Sequence, residues 1–129
     1  MSNPVQVLTL LASDKGTYAI TNIQFIDEDN TPVTPNTDTV KYCLTDKAGN
    51  VINDKKEIAI TSALTMQIVL SGDDLAVSGT PDKIVKNKDV TINQFERHIA
   101  VSGEVNSTLG DDLPVTKEFV FYIEDIVCI

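Results

Sequence analysis

Alternation of apolar and polar residues with a period of two runs along almost the whole chain and constrains the fold more than any other feature. Period two is the period of a β-strand, because successive side chains point to opposite faces. No window shows an apolar stripe with the helical period of 3.6 for longer than one or two turns. The chain is therefore predicted to be all-β. The clearest alternating sets are Val40, Tyr42 and Leu44; Leu64, Met66, Ile68 and Leu70; and Phe119, Phe121 and Ile123.

Turn-forming residues divide the alternating segments into about seven to eight strands, a spacing typical of β-sandwiches. A parallel α/β fold would need helical crossovers, which the sequence does not supply. The phase changes between Ile20 and Ile23 and again near Asn93 predict bulges, or strands that pass from one sheet to another. These favour an antiparallel sandwich over a small barrel. At most one short helical turn is expected, near Ser71, where Ser71 and Asp74 have capping-box spacing.

Three connections are predicted from polar and turn-forming residues. Residues 46–50 have the composition of a hairpin turn, in which Gly49 can adopt the left-handed conformation. Residues 78–88 are predicted to be the most mobile loop and residues 106–114 a connection.

Phe119, Phe121 and Ile123 share one parity, so all three are expected to face the core.

A chain of 129 residues fits one domain, here residues 1–129. Residues 1–12 are either the first strand of the sandwich or an extended arm that pairs with a neighbouring subunit. A secretory signal is not expected, because no basic residue precedes Lys15 and because Gln6 and Thr9 interrupt the apolar run.

The formal charge of −9, with Arg97 the only arginine, provides no electrostatic footprint for nucleic acid or for anionic lipid. No apolar run approaches the roughly 18 residues that a membrane span needs. The two cysteines do not indicate a secreted protein, so we expect the chain to be made and kept in the cytoplasm. A disulfide between Cys43 and Cys128 stays open, because sequence alone does not show its geometry.

No set of residues predicts catalysis, so we expect a protein that is not an enzyme and holds no cofactor. His98, the only histidine, lies on the parity opposite to Phe95 and is expected to be an exposed or rim strand residue. The cysteines and the histidine are too few for a four-ligand zinc site. The nucleophile elbow of serine hydrolases and the glycine-rich phosphate loops are also missing from the sequence.

Calcium is the one metal with any candidate ligands. Asp27 and Asp29 alternate within a polar turn that also contains Asn30, and calcium accepts loop carboxylates at such spacing. No stretch supplies a complete calcium loop with a distal bidentate glutamate. Acidic residues in turns more often cap backbone N–H groups, so no metal site is expected.

Four segments resemble a group of small proteins encoded among the structural genes of tailed phages and prophages. The resemblance implies an immunoglobulin-like β-sandwich and carries no catalytic residues. It covers roughly residues 17–126 and rests on the runs VTPN (33–36), TDKAGNVIN (45–53), IVLSGDDLA (68–76) and LPVTKEFVFYIED (113–125).

The leading expectation is therefore a non-enzymatic structural or interaction module of the head–tail or tail region of a phage or prophage particle. Its partners would be other phage structural proteins or further copies of itself. It would be made in the cytoplasm of the bacterial host and packaged into the virion. The alternative is a ligand-binding β-sandwich with calcium-assisted carbohydrate recognition.

Overall fold

The computed structural model describes residues 3–128 and contains an all-β sandwich, which confirms the predicted fold class. Several of the strands are only two residues long, so the structure has more strand segments than the seven or eight predicted. The strands are β1 (Gln6–Val7), β2 (Ala12–Ser13), β3 (Thr17–Ile23), β4 (Phe25–Ile26), β5 (Pro32–Val33), β6 (Lys41–Asp46), β7 (Ile58–Ala59), β8 (Met66–Ser71), β9 (Lys83–Lys86), β10 (Val90–Ser107) and β11 (Gly110–Cys128).

One sheet has the order β1-β11-β10-β6-β7, with β2 also paired to β11 and β9 also paired to β10. Opposite it lie the antiparallel pairs β3–β8 and β4–β5. The prediction of a purely antiparallel sandwich is wrong in one respect, because β1 and β2 run parallel to β11. β1 and β2 occupy the edge of β11 that β10 leaves free, and the chain then turns at Gly16 into β3.

The core lies between the two sheets, and strand parity determines which residues fill it. Met66, Ile68 and Leu70 of β8 are buried, and the residues that alternate with them are exposed. Phe119, Phe121 and Ile123 are buried as predicted, and the ring of Phe121 stacks on Tyr18 with centroids 4.8 Å apart. Contacts such as this join the two sheets, because Tyr18 belongs to β3 and Phe121 to β11.

The hairpin of β10 and β11 is much longer than the sequence predicted. Residues 106–114 were expected to form a connection, but β10 continues to Ser107 and β11 begins at Gly110. A bulge between Val105 and Ser107 and a positive φ of 53° at Asp112 accommodate the turn-forming residues within the ladder. The N–H of Asp112 donates to Asn106 Oδ1 at 2.9 Å, which fixes this irregular turn.

Two further local predictions need correction. No bulge occurs near Asn93, because β10 and β11 pair in continuous register there, and the apolar Ile92 is opposite Ile126. Residues 78–88 are not a single loop, because Lys83–Lys86 form β9 against β10. The predicted bulge in β3 is confirmed between Ile20 and Ile23.

Two turn predictions are confirmed in the described residues. Gly49 has a φ of 92°, and its N–H donates to the carbonyl of Asp46 in the turn that follows β6. A single turn of 3-10 helix spans Gly72–Leu75, and the N–H of Ser71 donates to Asp74 Oδ2 at 3.2 Å.

Candidate functional site

The N-terminal segment runs along the edge of β11, parallel to that strand, and most of its apolar side chains are exposed to solvent. We call residues 3–11 the N-terminal arm. Val5, Val7 and Leu10 are 58%, 63% and 68% exposed, and Leu11 is also exposed. Apolar side chains concentrated on an exposed segment are typical of a surface that binds another protein.

Backbone and polar contacts, rather than burial of these side chains, hold the N-terminal arm in place. The N–H groups of Asn3 and Leu8 donate to the carbonyls of Thr116 and Val120, both at 2.8 Å. The buried side chain of Asn3 accepts from the N–H of Ile26 at 3.0 Å and donates to its carbonyl at 3.2 Å. The arm is therefore part of this chain's own sheet and still presents an apolar outer surface.

A groove of about 460 Å³ separates the N-terminal arm from β3. It is lined by residues 6–10 on one side and residues 18–22 on the other. The hydroxyl of Tyr18 bridges the groove at one point by donating to the carbonyl of Leu10 at 2.6 Å. The bulge in β3 and the positive φ of 58° at Asn22 make this edge irregular, which discourages uncontrolled pairing with other strands.

A second feature is a cluster of ionisable groups on the outer face of β10 and β11. His98 Nε2 lies 2.7 Å from Glu96 Oε2, and His98 Nδ1 lies 2.6 Å from Glu118 Oε1. The hydroxyl of Tyr122 donates to Glu96 Oε1 at 3.1 Å. His98 is on the predicted face of its strand, where it is half-buried between two carboxylates.

Hydrogen bonding and burial oppose each other in setting the pKa of His98. Burial disfavours the charged ring, but the hydrogen bonds to Glu118 and Glu96 outweigh it and raise the pKa of His98. The hydrogen bond from His98 lowers the pKa of Glu96. Both ring nitrogens can donate only when the ring is protonated, so the arrangement favours the imidazolium form.

The third feature is a cavity of about 310 Å³ beside Arg97. Arg97 is 7% exposed, because its position in β10 has the inward parity of Phe95 and Ile99. The guanidinium carbon lies 5.9 Å from the ring centroid of Phe95. Lys47, which follows β6, and Ser78 and Thr80, which precede β9, also line the cavity.

The guanidinium of Arg97 lacks partners for part of its hydrogen-bonding capacity. Its Nη1 donates to the carbonyl of Glu96 at 3.0 Å, whereas Nε is buried without a partner among the described residues. Asp46 and Asp82 line the cavity, but neither forms an ion pair with Arg97. Burial lowers the pKa of Arg97, and the two aspartates only partly oppose that effect.

The turn predicted as the weak calcium candidate is hydrogen-bonded within itself. Asp27 Oδ1 accepts from the N–H groups of Asp29 and Thr31 at 2.9 and 3.0 Å. Asn30 has a positive φ of 60°, as a residue in a tight turn often does. Within residues 3–127, no group of three or more acidic, histidine or cysteine side chains is arranged to hold a metal ion.

The cysteine pair is only partly described. Cys43 is a half-buried free thiol on β6. Cys43 lies opposite Ala100 of β10, whereas Cys128 lies opposite Val90 of the same strand. Ten residues of strand separate these two positions by roughly 30 Å, so the Cys43–Cys128 disulfide that the sequence left open cannot form within this fold.

Comparisons of the chain with protein-family models, with curated proteins and with solved structures found no match. Among residues 3–128, the structure contains no helix with the length and apolar character that a bilayer span requires.

Sequence reasoning located the N-terminal arm and placed His98 on the correct face, but it missed the cavity. The parity of Arg97 with Phe95 was an available signal that the only arginine would be buried. The other lining residues could not have been assigned, because Lys47, Ser78 and Thr80 come from segments that meet only in the folded chain.

Proposed function

We propose that this protein is a non-enzymatic structural or interaction module of a phage or prophage particle, in the head–tail or tail region. The phage context is supported by the sequence resemblance of four segments. The N-terminal arm carries the interaction part of the proposal, because it is fixed by backbone bonds and leaves its valines and leucines for a partner.

An immunoglobulin-like topology is part of this proposal, and the strand order supports it. Immunoglobulin-like sandwiches place strands C, F and G in one sheet and pair strands B and E in the other. Here β6, β10 and β11 are consecutive neighbours in one sheet, and β3 pairs with β8 in the other. The order along the chain also corresponds, because β3 precedes β6 and β8 precedes β10.

The proposed partners are other structural proteins of the particle or further copies of this chain. The net charge of −9 opposes contact between identical copies at low ionic strength, and salt screens that repulsion. Self-association through the apolar arm should therefore strengthen as the salt concentration rises. The protein would be made in the cytoplasm of the bacterial host and then packaged into the virion.

Sedimentation velocity of matched variants tests whether the N-terminal arm makes the contacts. Val5→Thr combined with Val7→Thr removes apolar surface but keeps β-branched residues, so the fold should stay within about 0.5 kcal/mol of the wild type. Leu109→Ser is the control, because Leu109 is 67% exposed at the hairpin turn, away from the arm. We expect the double variant to lose self-association at high salt, or binding to a neighbouring particle protein, and the control to keep it.

Two results would count against this proposal. Equal association of the double variant and the wild type would show that the arm is not the contact surface. Equal loss in the Leu109→Ser control would show that exposed apolar area in general, rather than the arm, drives association.

A ligand-binding sandwich with calcium-assisted carbohydrate recognition is the alternative proposal. It would require the turn at Asp27, Asp29 and Asn30 to exchange its internal hydrogen bonds for a metal ion. A rise of several degrees in the melting temperature at millimolar calcium would favour it.

A further inference from the structure

We propose that the cavity beside Arg97 is a binding site for a carboxylate group, supplied by a small free acid or by an acidic side chain of a protein partner. This inference does not depend on the proposed role in a phage particle. It rests on the cavity and on the unused hydrogen-bonding capacity of the single arginine.

The first step concerns what a buried guanidinium needs. Arginine has five N–H donors, and buried charged groups are normally both paired and hydrogen-bonded. The side chain of Arg97 is more than nine-tenths buried and donates to one carbonyl, that of Glu96, among the described residues. Nε is itself fully buried, so the donors that remain for a group entering the adjoining cavity are N–H groups of the two terminal guanidinium nitrogens.

The second step is that the nearby aspartates supply charge but not hydrogen bonds to Arg97. Asp46 Oδ1 accepts from the N–H groups of Ala48 and Asn50, both at 2.9 Å. Asp82 Oδ2 accepts from the N–H of Glu96 at 2.7 Å. These oxygens hold the loops around the cavity in place, and neither side chain forms an ion pair with Arg97.

The third step identifies the ligand chemistry. A planar guanidinium matches the two oxygens of a carboxylate, and hydroxyl groups add further donors. Lys47, Ser78 and Thr80 line the same cavity and provide an ammonium group and two hydroxyl groups. A volume of about 310 Å³ admits a small acid or one acidic side chain.

The aspartates also predict how tightly such a ligand binds. A carboxylate that enters the cavity is attracted by Arg97 and Lys47 and repelled by Asp46 and Asp82. A single carboxylate should therefore bind in the millimolar range. Neutralising one aspartate should strengthen its binding.

The single arginine makes a direct test possible, because the ¹⁵N-labelled protein has one Nε–H signal from arginine. Sodium acetate is the probe, sodium chloride at equal ionic strength controls for screening, and acetamide controls for an uncharged oxygen acceptor of similar size. We expect acetate to shift the Arg97 Nε–H signal and the backbone amide signals of Ser78 and Thr80 saturably. Absence of a saturable shift, or an equal shift with chloride or acetamide, would overturn the proposal.

Charge variants test the site without removing Arg97. Lys47→Gln should weaken acetate binding about threefold and Asp82→Asn should strengthen it about threefold, which are modest effects typical of partly exposed charges. Lys56→Gln is the matched control, because Lys56 is exposed and lies outside the cavity. Unchanged binding in both cavity variants would contradict the proposal, as would equal weakening in the Lys56→Gln control.

A variant of the arginine and a peptide complete the test. Arg97→Lys should abolish the acetate-induced shifts at Ser78 and Thr80, and their persistence in the folded variant would overturn the proposal. An acetylated and amidated tripeptide with a central glutamate distinguishes the two sources. Binding as tight as that of acetate supports a protein side chain, whereas binding of acetate alone supports a small free acid.

Discussion

Replacement of Phe121 by alanine tests the packing of the sandwich most stringently. Phe121 is completely buried in β11, and its ring stacks on Tyr18 of the opposite sheet with an interplanar angle of 17°. Truncation of a buried phenylalanine removes apolar burial and leaves a cavity, which typically costs about 3–5 kcal/mol. Loss of the aromatic pair belongs to the same change, so a value in the upper half of that range is expected.

Urea denaturation followed by circular dichroism measures this cost. The free energy of unfolding of Phe121→Ala should fall by about 4 kcal/mol, with an m-value close to that of the wild type. Ile126→Ala is the control on the same strand, because Ile126 is 57% exposed and its truncation should cost less than about 1 kcal/mol. A loss below about 1 kcal/mol for Phe121→Ala would refute the register of β11 and the inter-sheet contact.

Three further perturbations have defined outcomes. Gly103→Ala should destabilise the fold by about 1–3 kcal/mol in urea denaturation, because its Cβ would lie 3.2 Å from the ring of Phe25 and 3.4 Å from Val40; unchanged stability would contradict that packing. The raised pKa of His98 gives a stabilisation that is fully present below the unfolded pKa of about 6.5 and is lost as pH rises through the folded pKa. The stability difference between wild type and His98→Gln should accordingly be larger at pH 6 than at pH 9, and a difference that grows with pH would be contrary evidence. Calcium at millimolar concentration should leave the melting temperature unchanged, because Asp27 already accepts hydrogen bonds from N–H groups of its own turn. A clear increase in the melting temperature would contradict this prediction.

The regular strands could be predicted because their alternation reports directly which face is buried. β8 and the buried half of β11 follow from parity alone, and Gly49 follows from the conformational demands of a tight turn. The extent of the long hairpin could not be predicted in the same way. Asp112 and Pro114 are typical of loops, yet Pro114 lies opposite Glu104 in the regular ladder and Asp112 lies in the bulged part between Leu113 and Gly110.

The candidate sites also differ in how far apart along the chain their residues lie, and this decides how much of each site could be predicted. The exposure of the N-terminal arm follows from a local apolar run at the edge of a sheet. The pairing of His98 with Glu118 requires the register between β10 and β11, which sequence alone does not specify. The Arg97 cavity needs three separate segments to meet, so its donors become visible only in three dimensions.

The most direct test of the central claim is quantitative mass spectrometry of purified phage particles from an induced host that carries the gene. A structural module should be present in purified particles in a fixed ratio to the other structural proteins. Removal of residues 3–11 should reduce that ratio while the truncated chain still accumulates in the cell. Particles that form normally and lack this protein, although the cell expresses it, would contradict the claim.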